Sequence, residues 1–374
     1  MKKIQMVDVI SQHKKYSKEI SQRIDKVISS GAYIQGEEVK KFEKLLSSYL
    51  DSKYTITCGN GTDALYIALM SLNLKKGDEV LVPSFTFVST VEVVCLLGLT
   101  PIFVDINPKT FLIDVQSVKE SINHNTKVII PVHLFGQCCN MIDLKRIAKK
   151  YDLFLVEDAA QSIGSRCSVG IKNNMKFSGT IGDIGITSFY PSKNLGGIGD
   201  GGAIFTQKRD LADRIRLIAN HGQEKKYMHK IVGLNSRLDA LQATILAFKL
   251  RFLSEFNKNR QAAARCYDDE LASLGWLKTP NRAMNTEHVF HQYSILLKSS
   301  VDRFKFQKYL HNLGIPTMIY YPIPLHKQEA YKSYATKSLP NSENVSEHII
   351  SLPMHPELDS QQVKFICDMI KRFV

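Results

Sequence analysis

Apolar positions along the chain follow two rhythms. Near the N-terminus Ile20, Ile24, Val27 and Ile28 recur at i, i+4, i+7 and i+8, one face of a helix, and Ser29, Ser30 and Gly31 end the run. GAYIQGEEV leads into a second amphipathic helix that reaches Leu50. TITC then reads as a short strand, and GNGTDALYIALMSL opens directly into a helix. From Asp78 the alternation becomes regular: EVLVP strand, STVEVVCLLG helix, TPIFVDI strand, a helix near 115–122, KVIIPVHL strand, a helix from Met141 to Lys150, and LFLVED strand. Short apolar strands separated by helices predict an α/β fold, a mixed and mostly parallel sheet flanked by helices. Ligands collect at the carboxyl ends of such strands, which places Pro83 to Phe87, His133, Asp158 to Gln161 and Ser188 to Lys193 along one rim.

After Arg260 the pattern changes to a helix, the alternating segment FHQYSILL, and helices over 301–313 and 360–372. The expected division is a large domain over 1–255, including the N-terminal helices, and a smaller C-terminal α+β domain over 256–374. The loop PTMIYYPIPLHKQ is expected to face back toward the cleft.

Length and composition agree with that picture, since 374 residues at 44% hydrophobic content bury a large core. No apolar run approaches the roughly 20 residues that span a bilayer, and MKKIQMVDVISQHKK lacks the long apolar stretch of a signal peptide. Seven cysteines, with no C-x-x-C pair, fit reduced thiols in a cytoplasm better than disulfides or structural zinc, so no metal is expected. Net charge is +13 and the pI about 9.2. That balance leaves a non-catalytic polyanion-binding protein as a competing class. Against nucleic acid, the basic residues are spread as KK and KR pairs among 36 acidic ones, which describes a cationic surface that steers anionic substrates.

The chemistry concentrates in TSFYPSKNLGGIGDGG, residues 187–202. Lys193 stands there among small and aromatic residues, and a lysine amine condenses with an aldehyde only when uncharged. Ser188 offers a hydroxyl, and the glycines let backbone approach a phosphorylated ring; GGIGDGG does not fit G-x-G-x-x-G in register. Asp158, closing its strand, suits a protonated pyridine nitrogen, and Gln161 a ring oxygen. Equally, Asp158 reads as a helix N-cap followed by an exposed Gln161. Gly61 and Thr62 read either as a phosphate site at a helix start or as a turn and cap. Phe87 is a stacking platform or a core residue. Asn235 and Arg237, with His221 and His229, either cap the helix at Asp239 or reach an anionic ligand.

Nine segments in order, GNGTDAL, GDEVLVPSFTFVST, FVDI, KVIIPVHLFGQ, VEDAAQSIG, TSFYPSKNLGGIGDGGAIFT, NHGQEKKYMH, GLNSRLDALQA and YYPIPLHKQ, carry a resemblance along nearly the whole chain. The chain resembles the DegT/DnrJ/EryC1/StrS nucleotide-sugar aminotransferases, which have the aspartate aminotransferase fold and use pyridoxal 5'-phosphate. The resemblance implies that Lys193 carries the cofactor, Asp158 pairs with the pyridine nitrogen, Gln161 contacts the ring hydroxyl and Phe87 stacks on the ring. It implies that Gly61, Thr62 and Ser188 hold the phosphate, and that Asn235 reaches the same phosphate from the other subunit of a homodimer. Arg237, Tyr321 and His326 match positions near the sugar nucleotide, and Tyr320 departs from relatives that have histidine there. Glutamate is the implied donor, leaving as 2-oxoglutarate. The implied acceptor is a nucleotide-linked keto sugar, a dTDP-6-deoxyhexose or a UDP-2-acetamido sugar aminated at C3, with C4 as the alternative, in amino-sugar synthesis for surface polysaccharide such as lipopolysaccharide O-antigen. The family's dehydratases have histidine in place of the lysine, so Lys193 argues against that branch.

Overall fold

The computed structural model describes residues 3–170 and 174–373. Its strands are β1 (Tyr54–Cys58), β2 (Glu79–Pro83), β3 (Thr100–Val104), β4 (Thr126–Ile129), β5 (Phe154–Asp158), β6 (Arg166–Ser168), β7 (Met175–Phe177), β8 (Ile184–Ser188), β9 (Gly202–Thr206), β10 (Gln223–Lys225), β11 (Met228–His229), β12 (Leu277–Lys278), β13 (Tyr293–Leu297) and β14 (Ile349–Leu352). Seven form the main sheet in the order β1-β9-β8-β5-β4-β2-β3. Pairings among β3, β2, β4, β5 and β8 are parallel, and β9 runs antiparallel to both β8 and β1. The sheet is therefore mixed and mostly parallel, as the alternation predicts.

Two helices precede the sheet. α1 (Val9–Ser30) is capped by Asp8, which accepts from the Ser11 N–H at 2.8 Å, and ends at Gly31 with φ 65°. α2 (Glu37–Leu50) buries Val39, Phe42, Leu46 and Leu50 at helical spacing. In α1 only Tyr16, Ile20 and Val27 are buried, while Ile28 is exposed, so the apolar stripe is narrower than its spacing implies. Helices α3 (Gly61–Met70), α4 (Ser89–Leu96), α5 (Val115–Ser121) and α6 (Met141–Tyr151) connect successive strands from β1 to β5, and α7 (Arg209–Ala219) follows β9. The core strands are buried along nearly their whole length because helices cover both faces.

The antiparallel sheet β12-β13-β14 packs with α9 (Leu253–Leu271), α10 (Arg303–Asn312) and α12 (Ser360–Lys371) around Tyr267, Tyr293, Ile295, Phe306 and Ile366. α9 follows α8 (Ala240–Leu250) and runs through position 255. Its Phe256 joins Tyr16 and Phe248, whereas Ala264 and Tyr267 belong to the C-terminal core. Ile4 also packs into that core, and the Met354 N–H donates to the Met6 carbonyl at 3.2 Å. The last helix to be named, α11 (Pro340–His348), precedes β14. Among the described residues no helix is long and apolar enough to cross a membrane.

Candidate active site

The strand ends converge where β9 inserts between β1 and β8. Gly202 pairs with Cys58 on one side and Ser188 on the other, so the N-terminus of α3 and the end of β8 meet. Asn60 caps α3 by accepting from the Asp63 N–H at 2.8 Å, and its carbonyl takes the Ala64 N–H. Gly61 and Thr62 form the first turn, where helix N–H groups point outward along the axis. A Cβ on Gly61 would lie 2.8 Å from the Ser188 Cβ, so only glycine lets the helix start this close to β8. The Thr62 hydroxyl meets the Ser89 hydroxyl at 2.7 Å, bringing the start of α4 to the same place.

Asp158 ends β5 and is 6% exposed. One carboxylate oxygen accepts from the Ala160 N–H at 3.0 Å and the other from the Thr90 hydroxyl at 3.2 Å. No helix follows it, and Gln161 is as buried as Asp158, so reading the pair as a helix cap with an exposed glutamine is corrected. Gln161 is held at both ends: its carbonyl oxygen accepts from the Phe135 N–H at 2.8 Å, and its amide donates to the Tyr321 hydroxyl at 3.1 Å. Phe87 is exposed rather than a core residue, and its ring lies 6.2 Å from that of Tyr321.

Lys193 sits in a turn closed by its own N–H, which donates to the Tyr190 carbonyl at 2.8 Å. Loss of water lowers its ammonium to about 8, against an upward pull from the Asp158 carboxylate. Burial likewise pushes Asp158 up, opposed by the Ala160 N–H, Lys193 and the Thr90 hydroxyl. For both groups desolvation outweighs mutual attraction, the condition in which a lysine amine is partly neutral near physiological pH. His291 is buried beside them and pushed well below its ordinary value, by desolvation first and then by Lys193 and Arg260.

Other expected residues lie elsewhere. His326 is 4% exposed with both ring nitrogens engaged, Nδ1 by the Ser84 hydroxyl at 2.6 Å and Nε2 by Glu343 at 3.2 Å. Such a histidine anchors the loop over 320–328 and has no free edge for a sugar. Asn235 is exposed on the loop before α8, and Arg237 donates to the Asn220 side chain at 3.4 Å. Asp239 makes no side-chain capping bond, and in the contacts among the described residues neither Asn235 nor Arg237 joins the Lys193 group. His133 lies beneath the rim, fully buried, pairing with Glu157 at 2.8 Å; Glu157 also accepts from the Gly179, Ile181 and Gly182 N–H groups. His229 is tied to the His221 carbonyl on an exposed hairpin. Sequence reasoning passed over Thr90, whose place in STVEVV reads only as a helix start.

The profile of the DegT/DnrJ/EryC1/StrS aminotransferase family matches residues 14–371. The chain is 43% identical over 364 residues to the UDP-2-acetamido-2-deoxy-3-oxo-D-glucuronate aminotransferase of Pseudomonas aeruginosa, covering 97% of this chain and 98% of the relative. It is 39% identical to the dTDP-3-amino-3,6-dideoxy-alpha-D-galactopyranose transaminase of Aneurinibacillus thermoaerophilus, covering 99% of each. Among solved structures, DesV of S. venezuelae in complex with a ketimine intermediate superposes with a TM-score of 0.94 at 33% identity, over 100% of this chain and 99% of that one. NtdA from Bacillus subtilis with bound cofactor PMP gives 0.86 at 34%, over 96% and 82%. With matches that run nearly end to end, and a half-buried lysine in the turn after β8 coupled to a buried aspartate at the end of β5, the chain belongs to the DegT/DnrJ/EryC1/StrS aminotransferase family.

Proposed function

We propose that this protein transfers the amino group of L-glutamate to C3 of a nucleotide-linked 3-keto sugar, releasing 2-oxoglutarate and the 3-amino sugar. The observation that carries the reading is the convergence of Lys193, lowered to about 8, with the buried Asp158 and the Gly61–Ser188 approach at a helix N-terminus. The relatives named for 3-oxo and 3-amino sugars on UDP and dTDP favour C3 over C4.

The residues present fit pyridoxal 5'-phosphate. A Cβ at Gly61 would fill the space beside Ser188, which suits the close approach of a phosphate to helix N–H groups, and Gly61, Thr62 and Ser188 would hold it. When bound, the cofactor supplies an electron sink that makes a carbon–hydrogen bond next to nitrogen acidic. Asp158 would hold the proton on the pyridine nitrogen, steadied by Thr90 and Ala160. Gln161 would meet the ring oxygen, and Phe87 would cover one ring face and keep water from it. Lys193 would hold the cofactor through its amine, and the same amine, when free, would take the proton from Cα of glutamate and deliver one to C3 of the sugar. One site serves both half-reactions in turn, so ping-pong kinetics are expected. Tyr321 would meet the sugar beside Gln161, Arg237 would meet the nucleotide sugar of the neighbouring subunit's site as Asn235 would its phosphate, and His326 supports the loop.

Asn235 supports a homodimer in this reading, crossing to the partner's phosphate site, and the exposed Tyr190, Ile198, Tyr227 and Val232 offer apolar surface for that contact. The large and small domains divide within α9. Seven free thiols fit a cytoplasmic enzyme, here one that serves surface polysaccharide such as O-antigen. The test is incubation with glutamate and a panel of dTDP- and UDP-linked 3-keto and 4-keto sugars, read by mass spectrometry. Replacement of a 3-carbonyl oxygen by an amine, lost in Lys193→Ala, is the expected outcome; conversion of 4-keto sugars alone, or of none, overturns it.

A further inference from the structure

We propose that Lys249 and Gln242 are positioning residues that hold the Lys193 loop in its reactive shape, Lys249 by donating to the Gly196 carbonyl and Gln242 by accepting from the Ile198 N–H. Both lie on α8, seven residues apart, which puts them two turns along one face of the helix. The bonds measure 2.5 Å from the Lys249 Nζ and 2.9 Å to the Gln242 Oε1. They grip consecutive parts of one short segment, three to five residues after Lys193.

That segment is closed on itself as well. The Gly197 N–H donates to the Phe189 carbonyl at 2.8 Å, the Phe189 N–H donates to the Gly201 carbonyl at 2.7 Å, and the Lys193 N–H donates to the Tyr190 carbonyl. Lys249 therefore feeds a charged donor into the peptide whose other end bonds Phe189, the arrangement in which neighbouring hydrogen bonds strengthen one another. A Cβ on Gly197 would come within 2.6 Å of the Gln242 Oε1, so the glycine is what lets α8 reach the loop backbone.

The cost of Lys249 supports a positioning role. It is 7% exposed, no carboxylate lies in salt-bridge reach among the described residues, and burial alone lowers its ammonium to about 8. An unpaired cation in such surroundings is expensive, and a methionine would fill the same space without that penalty. What methionine cannot do is donate to Gly196. The loop it restrains must present Lys193 at one place whether or not its amine is bonded to the cofactor, and backbone slack of an ångström there would misplace the amine.

This inference rests on Lys193 being the residue that carries the cofactor, and the experiment keeps the two apart. Amide hydrogen exchange of the full-length protein without cofactor is measured by mass spectrometry over 189–201 for Lys249→Met, Gln242→Ala and Gln242→Glu. Trapping of pyridoxal 5'-phosphate on Lys193 by borohydride is followed in parallel. Loss of one such bond is expected to raise exchange over 196–198 about tenfold in Lys249→Met and Gln242→Ala, with slower trapping in both. Gln242→Glu keeps the accepting oxygen and is expected to restore both readouts. Unchanged exchange over 196–198 in Gln242→Ala and in any folded Lys249→Met overturns the proposal; should Lys249→Met fail to fold, the two Gln242 variants decide alone. Wild-type protein that traps no cofactor on Lys193 overturns the assignment of that lysine and leaves the exchange test standing.

Discussion

The Gln161 side-chain amide donates to the Tyr321 hydroxyl at 3.1 Å, joining residues 160 positions apart. Because the Phe135 N–H holds the other end of the amide, Gln161 has one orientation, and its position reports on the loop that carries Tyr321. Tyr321→Phe leaves a buried amide N–H without this acceptor, at about 1–3 kcal/mol. The expected result is a lower melting temperature and a drop of roughly tenfold in kcat/KM for the sugar, with trapping of cofactor on Lys193 retained.

The pH dependence of cofactor capture follows from Lys193. Only the neutral amine condenses, and its ammonium is lowered to about 8, so capture by the cofactor-free protein should rise about tenfold per pH unit up to that point and level off above it. A lysine at the ordinary 10.5 would keep accelerating to higher pH. The Asp158 carboxylate pulls the ammonium up, so Asp158→Asn should move the midpoint to lower pH while abolishing most turnover. Stopped-flow absorbance across a pH series measures both.

Gly61→Ala places a methyl group 2.8 Å from the Ser188 Cβ, a separation that real Cβ atoms do not tolerate. Either the start of α3 or the end of β8 must shift, and the phosphate site proposed above lies between them. Affinity for pyridoxal 5'-phosphate should fall by at least about tenfold, while the far-ultraviolet circular dichroism stays that of the wild type. Equilibrium dialysis provides the affinity.

Mixing tests whether Asn235 serves a neighbouring site. If it does, a Lys193→Ala chain combined with an Asn235→Ala chain forms heterodimers with one doubly damaged site and one intact site. Activity should return after subunit exchange, although each parent is impaired. Confirmed exchange without recovered activity, or an active species that sediments as a monomer, would show that each chain completes its own site.

Local chemistry is what the amino-acid sequence by itself determined. The period of apolar residues set the helices and strands up to Asp158, because those patterns repeat within a few residues and each element needs only one face or run to be buried. Lys193, Asp158 and Gln161 stood out as candidates because each sits in a short motif at or just past a strand end, where an α/β sheet gathers ligands, although the residues alone left Asp158 and Gln161 open to a capping reading that only the fold removed. The tertiary structure alone decided how far-apart pieces meet. Thr90 reaches Asp158, Tyr321 reaches Gln161, His326 turns away to Ser84 and Glu343, Ile4 enters the C-terminal core, and Lys249 reaches Gly196. None of these leaves a periodic trace, since a hydrogen bond between residues tens or hundreds of positions apart depends on where two backbones are packed and on which polar atoms that packing removes from water.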